Sequence, residues 1–162
     1  MNQDDQQPVQ WGILLDMDGV LCENLLRREY GDDRDYELFG KRCGNAAPIM
    51  DFIALAQIMT EDHGAVFILT ARSEKLRTIT LDWLRKHGVE IEDIMMRPLG
   101  NREPDHVLKR KMLTQLARKH ALNTAFGPNI LLAVDDTPEV VKMYKDAGLP
   151  AYLPGNVPEV LI

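Results

Sequence analysis

The stretch GILLDMDGVL, residues 12–21, decides how this chain is read. Residues 12–15 form an uninterrupted apolar run that breaks directly into Asp16 and Asp18, two carboxylates separated by one residue, and then Gly19. A short continuous apolar run suits a strand covered on both faces. Moving outward, the pattern repeats. The run AVFIL (65–69) ends in Thr70 and Arg72, IMM (94–96) in Arg97, and ILLAV (130–134) in Asp135 and Asp136; a weaker run occupies 151–153.

Amphipathic stretches with recognisable ends lie between the runs. Asn45 is placed to cap a helix reaching His63, with Pro48 in its first turn and Gly64 as its stop. Ser73 is placed to cap a second helix to His87, stopped by Gly88, with Leu76, Ile79, Thr80, Trp83 and Leu84 at helical spacing. A third spans 103–120, its inner stripe being Val107, Leu108, Met112, Leu113 and Leu116. The fourth has Thr137 as cap, Pro138 in first position, Val140, Val141 and Tyr144 inward, and Gly148 as stop. Strand–helix alternation predicts an α/β fold, a doubly wound parallel sheet of about five strands with helices on both faces.

At 162 residues the chain is long enough for one domain with a sizeable core. A hydrophobic share of 45% and a charged share of 27% exclude a disordered class. No apolar run reaches the roughly 18 residues of a membrane span. Residues 1–10 read as a loose polar tail without the basic-then-apolar order of a secretory signal. Cys22 and Cys43 are too few for a disulfide framework and lack metal-site spacing, so a cytoplasmic location is the expectation. A net charge of −6 argues against a general nucleic-acid coat protein.

In a parallel sheet the carboxyl ends of the strands line one edge, where open α/β folds bind ligands. Asp16, Asp18, Asp135 and Asp136 would converge there and repel one another. A bound cation removes that difficulty, and an all-oxygen shell suits Mg²⁺. Thr70, Arg72 and a lysine on a later helix would join them at the same edge.

At these residues the chain resembles the haloacid dehalogenase (HAD) superfamily of phosphotransferases. LLDMDGVL (14–21) is similar to its first motif, LTAR (69–72) to its second and VDD (134–136) to its fourth, with Lys109 as the motif lysine and Lys111 as its rival. The nearest pattern is the phosphatase domain of phage-type polynucleotide kinase: Thr70-Ala71-Arg72 before a helix with a tryptophan, Met96-Arg97-Pro98, Asp105 four residues before Lys109, and Asp135-Asp136. The chain contains no kinase P-loop. The resemblance implies a HAD-like Rossmannoid domain over 11–162, with 21–44 as a short flap or minimal cap and no large cap domain. It also implies that Asp16 attacks phosphorus to give an aspartyl-phosphate and that Asp18 is the general acid and base. Thr70 and Lys109 would hold the phosphoryl oxygens. The implied Mg²⁺ ligands are Asp16, the backbone carbonyl of Asp18, Asp135 and Asp136. Arg72, Arg27 and Arg97 are the candidates for gripping substrate, and Asp105 would orient Lys109 through an i,i+4 pair.

The implied activity is a Mg²⁺-dependent phosphomonoesterase of the polynucleotide 3′-phosphatase type, working in nucleic-acid end repair beside a separate kinase or ligase partner. The alternatives are a 5′(3′)-nucleotidase on mononucleotides and a receiver-like phospho-accepting module. The segment 21–44 has only 24 residues, which looks open to a bulky phosphorylated substrate such as a nucleic-acid end. Residues 97–120 carry seven Lys/Arg against Glu103 and Asp105, a basic strip that would attract a polyanion.

Overall fold

The computed structural model of the chain describes residues 11–25, 40–124 and 127–159. The expected tail (1–10), Arg27 and most of the 21–44 flap therefore lie outside the described residues. Five parallel strands form one sheet: β1 (Trp11–Leu15), β2 (Ala65–Ser73), β3 (Asp93–Arg97), β4 (Asn129–Val134) and β5 (Ala151–Tyr152), in the order β3-β2-β1-β4-β5. The α-helices between them are α1 (Met50–Glu61), α2 (Arg77–Lys86), α3 (Asp105–His120) and α4 (Pro138–Asp146).

The apolar runs become strands because both of their faces are covered. On one face Ile13, Leu15, Val66 and Ile68 pack with Phe52 and Ile53 of α1 and Trp83 and Leu84 of α2. On the other, Leu14, Phe67 and Leu69 pack with Leu108, Met112 and Leu116 of α3 and Val140, Val141 and Tyr144 of α4. Alternation along β1 and β2 thus divides each strand between two cores, which is why these strands read as continuous apolar runs. Of the eight methionines, Met17, Met96, Met112 and Met143 are buried, whereas Met50 is exposed.

Several helix ends differ from the sequence reading. Asn45 does not cap α1: it closes a 3₁₀ turn over Cys43–Asn45, and the helix begins at Met50. Pro48 disfavours helical geometry before it. The stretch around it is also drawn alongside the loop after β1, with Glu23 N–H donating to the Ala47 carbonyl and Ile49 N–H to the Leu21 carbonyl. His63, rather than Gly64, takes the positive φ after α1. Ser73 does cap: its hydroxyl accepts from Lys75 N–H at 3.3 Å, starting a 3₁₀ turn that runs into α2. Helix α3 starts at Asp105, two residues later than expected. Thr137 precedes α4 without capping it through its side chain, because its hydroxyl donates to Asp136 instead.

Two consequences for stability are measurable. Leu116 is fully buried under the sheet, so Leu116→Ala should lower the unfolding free energy by about 2–5 kcal/mol, read by urea denaturation. His87 stacks on Trp83 and its buried Nε2 has no partner among the described residues. Burial holds its pKa below the ordinary histidine value. The folded state therefore favours neutral His87, and this stabilising contribution should be present above about pH 6.5 and lost as pH falls through the lower folded-state value. Urea titrations across this range should show a smaller loss in His87→Gln.

Candidate active site

The sheet order places the site. Chain progression runs from β1 outward to β3, then returns to the other side of β1 for β4, so the topology switches direction between β1 and β4. The register aligns Leu15 with Val134, and Asp16 N–H donates to the Val134 carbonyl at 3.1 Å. Asp16 and Asp135 consequently leave their strands side by side. One carboxylate oxygen from each of Asp16, Asp135 and Asp136 lies within 4.8 Å of the other two.

Lys109 reaches this cluster from α3. Its ammonium donates to Asp135 Oδ2 at 2.6 Å and lies 2.9 Å from Asp16 Oδ2, with the side chain almost wholly buried. The rival Lys111 is exposed and pairs with Glu103. Of the two lysines, Lys109 is the one that reaches the acidic cluster. Helical phase accounts for the selection, since Lys109 lies on the buried side of α3 between Leu108 and Met112. Asp105 does not orient Lys109 directly; it pairs with Arg97 at 2.5 Å, because Lys109 is already held by Asp16 and Asp135.

Asp18 occupies a different environment from Asp16. Its carboxylate is clasped by Arg72, with Nε donating to Oδ2 at 2.8 Å and Nη2 to Oδ1 at 2.7 Å. Arg72 is itself buried, donating also to Thr80 Oγ1 at 3.2 Å and contacting Cys22 Sγ at 3.3 Å. Its guanidinium faces protein groups, so the expectation that it grips substrate gives way to a clasp on Asp18. Arg97 is likewise engaged by protein, and Arg27 lies outside the described residues. Thr70 is buried within β2, three residues before its end; its Oγ1 accepts from Arg72 N–H at 3.2 Å, which leaves the hydroxyl proton to donate.

Burial pushes the Asp16 carboxyl well above the usual range, opposed by the Lys109 ammonium and reinforced by Asp135 and Asp18. Burial also raises Asp135, again against Lys109. Lys109 is held protonated because the two carboxylates outweigh its own burial. Burial raises the Cys22 thiol strongly, with Asp18 adding to it, so Cys22 packs as an un-ionised filler. When all are ionised, the carboxylates of Asp16, Asp18, Asp135 and Asp136 face the cations of Lys109 and Arg72, a formal excess of two negative charges among these groups. A hard divalent cation with an all-oxygen shell matches both that charge and that donor set.

Two residues at the site were not singled out from sequence. Asn24 donates to Asp136 Oδ2 at 3.0 Å, and only the folded loop brings it there. Tyr144 is buried within electrostatic reach of Lys109, Asp135 and Asp16, where burial raises its phenol. The basic strip is largely spent: Lys109 is in the site, while Arg97, Lys111 and Lys119 pair with Asp105, Glu103 and Asp93. Arg102, Arg110 and Arg118 are exposed.

With this geometry in hand, comparison with known proteins is decisive. The family model "Polynucleotide kinase PNKP phosphatase domain" matches residues 10–153. The chain belongs to this family. It is a HAD-superfamily phosphatase, and the sequence-based expectation of fold and enzyme class holds. A protein of Autographa californica nuclear polyhedrosis virus, carrying the name bifunctional polynucleotide kinase/RNA ligase, is 24% identical over 140 residues, which are 85% of this chain and 18% of the relative. Among solved structures, a chain of the Pnkp1/Rnl/Hen1 RNA repair complex aligns with TM-score 0.71 and 18% identity, over 94% of this chain and 44% of that one. A D,D-heptose 1.7-bisphosphate phosphatase from B. bronchiseptica, complexed with magnesium and phosphate, aligns with TM-score 0.58 and 20% identity, over 89% of this chain and 80% of that one. These structural likenesses establish the shared fold. The chain spans less than half of the viral relative and of the repair-complex chain. No helix among the described residues is long and apolar enough to cross a membrane.

Gly19 offers a test of the acidic cluster. Its φ is +86°, and a Cβ there would sit 2.2 Å from Asp136 Oδ2. Gly19→Ala should displace Asp136 and weaken Mn²⁺ binding at least about tenfold, the scale on which perturbing a ligand's support acts, as read by calorimetric titration.

Proposed function

We propose that the chain is a Mg²⁺-dependent phosphomonoesterase that works through an aspartyl-phosphate and removes 3′-phosphates from polynucleotide ends. The observation that carries this reading is the contrast in surroundings between Asp16 and Asp18. Separated by one residue, the two carboxylates have different partners, Asp16 beside Lys109 and Asp135, Asp18 in the grip of Arg72. Carboxylates placed in contrasting environments can take separate nucleophile and acid–base roles.

In the first step an Asp16 oxygen forms a bond to phosphorus while the bond from phosphorus to the ester oxygen breaks. Asp18 gives its proton to the departing oxygen. In the second step Asp18, now a carboxylate, takes a proton from water as the water oxygen attacks phosphorus and the bond to Asp16 breaks. The Thr70 hydroxyl and the Lys109 ammonium, each keeping its proton, hydrogen-bond to phosphoryl oxygens whose charge grows in the transition state. Arg72 fixes the plane of the Asp18 carboxyl, so that its proton is presented in one direction. Asp16, Asp135 and Asp136, with the Asp18 carbonyl, would hold Mg²⁺, which supplies positive charge between the nucleophile and the phosphate dianion.

The polynucleotide substrate is supported by the family to which the chain belongs and by the short segment 21–44, only 24 residues long. The kinase and ligase functions that its relatives' names carry point to such activities as partners, and end repair in the cytoplasm is the corresponding setting.

Phosphate release from a 3′-phosphorylated oligonucleotide tests the reading. Release should require added Mg²⁺, cease with EDTA, and exceed release from 3′- and 5′-mononucleotides at equal concentration. Asp16→Asn should lower kcat by about four orders of magnitude or more; unchanged turnover would remove Asp16 as nucleophile. Asp18→Asn should cost about 10²–10⁴-fold on alkyl phosphates, where the leaving oxygen needs a proton. It should cost far less in the first step on p-nitrophenyl phosphate, whose leaving group departs as the anion. Equal losses in single-turnover measurements on both esters would argue against Asp18 as the acid.

A further inference from the structure

Strands β2 and β3 do not stay in register to their ends. Leu69 pairs with Met95, but the next paired residues are Ser73 and Arg97, so residues 70–72 bulge out of the ladder. A bulge re-aims side chains at the cost of a ladder hydrogen bond, and this one contains both Thr70 and Arg72. Ala71 lies at its centre. The Ala71 carbonyl accepts instead from Arg97 Nε at 3.2 Å.

The remaining nitrogens of the Arg97 guanidinium engage the segment that leads into α3. Nη1 donates to Asn101 Oδ1 at 2.9 Å and to the Glu103 carbonyl at 2.8 Å, and Nη2 donates to Asp105 Oδ1 at 2.5 Å. Asp105 is the first residue of α3, and Lys109 lies one turn further along it. Asn101 closes the loop on itself through Glu103, accepting from its N–H and donating to its carboxylate. A single planar fork therefore joins the bulge that presents Thr70 to the helix start that presents Lys109. The Arg97 side chain is only 16% exposed, and its pairing with Asp105 is partly shielded from water, which favours a directional contact over a solvated surface pair.

We propose that Arg97 is a positioning residue: it fixes the separation of Thr70 and Lys109, the two side chains that hold the phosphoryl group, without touching the substrate. The proposal rests on the catalytic reading above for the roles of Thr70 and Lys109. A misplacement of about 1 Å between such groups can cost on the order of 100-fold in rate. Because the clamp acts on the phosphoryl group alone, its loss should be felt equally by every phosphate ester, whatever the leaving group or chain attached. An arginine that gripped a polynucleotide backbone would behave oppositely, its loss falling on the oligonucleotide and sparing a small ester.

The test compares Arg97→Ala, Arg97→Lys and Asp105→Asn with the wild type on p-nitrophenyl phosphate and on a 3′-phosphorylated oligonucleotide. Orthovanadate affinity and thermal melting are measured alongside. Arg97→Ala should lower kcat by about 10–100-fold on both substrates, with KM within about twofold, and should weaken orthovanadate binding by a similar factor. Arg97→Lys and Asp105→Asn, which keep much of the packing and each lose part of the fork, should fall between; they carry the test if Arg97→Ala does not fold. A defect confined to the oligonucleotide, or seen in KM alone, would overturn the proposal in favour of substrate grip. Unchanged orthovanadate affinity in a folded variant would overturn it as well. A wild type that cleaves the aryl ester but not the oligonucleotide would sink the polynucleotide reading, and the aryl ester would still decide for or against Arg97.

Discussion

The buried ammonium of Lys109 between Asp16 and Asp135 is the contact around which the rest of the site is arranged. Two carboxylates leaving adjacent parallel strands at the same level repel each other, and burial worsens the repulsion. Lys109 offsets part of it. Truncating the lysine would leave buried carboxylates uncompensated, a change that costs about 3–5 kcal/mol where a buried pair is broken by removing one partner. The remaining negative charge gives the edge a donor set that suits a hard cation.

The backbone does much of the placing. Reversal of strand order at β1 and β4 brings Asp16 and Asp135 together with no special local sequence beyond two apolar runs that end in acid. The bulge in β2 then turns Thr70 and Arg72 out of the ladder towards the same edge. Gly19 lets the loop after β1 close against Asp136, since any Cβ there would overlap the carboxylate.

Two arginines at this edge share one habit. Arg72 spends its fork on Asp18, Thr80 and Cys22, and Arg97 spends its own on Ala71, Asn101, Glu103 and Asp105. A guanidinium presents several donors in one plane, so a buried one can lock separate segments together in a way that a lysine cannot. Arginine beside a phosphate site is naturally read from sequence as a phosphate ligand. Here burial and partner geometry direct both forks inward, while Arg102, Arg110 and Arg118 are exposed.

Much of this was legible in the chain itself. Continuous apolar runs ending in Asp16, Thr70, Arg97 and Asp135 specified four of the five strands and the edge where their polar ends meet, because period and burial are local properties of the sequence. The acid-x-acid spacing indicated which carboxylates would share that edge, whereas Lys109 and Lys111 were separated only by the packing of α3. Helix starts were less legible: the Asn45 and Thr137 side chains had competing uses that arise only when distant segments pack. What Arg72, Arg97 and Asn24 do was decided by tertiary structure alone. A long or polar side chain can satisfy many partners, and only the positions of Asp18, Ala71, Asp105 and Asp136 in space select among them.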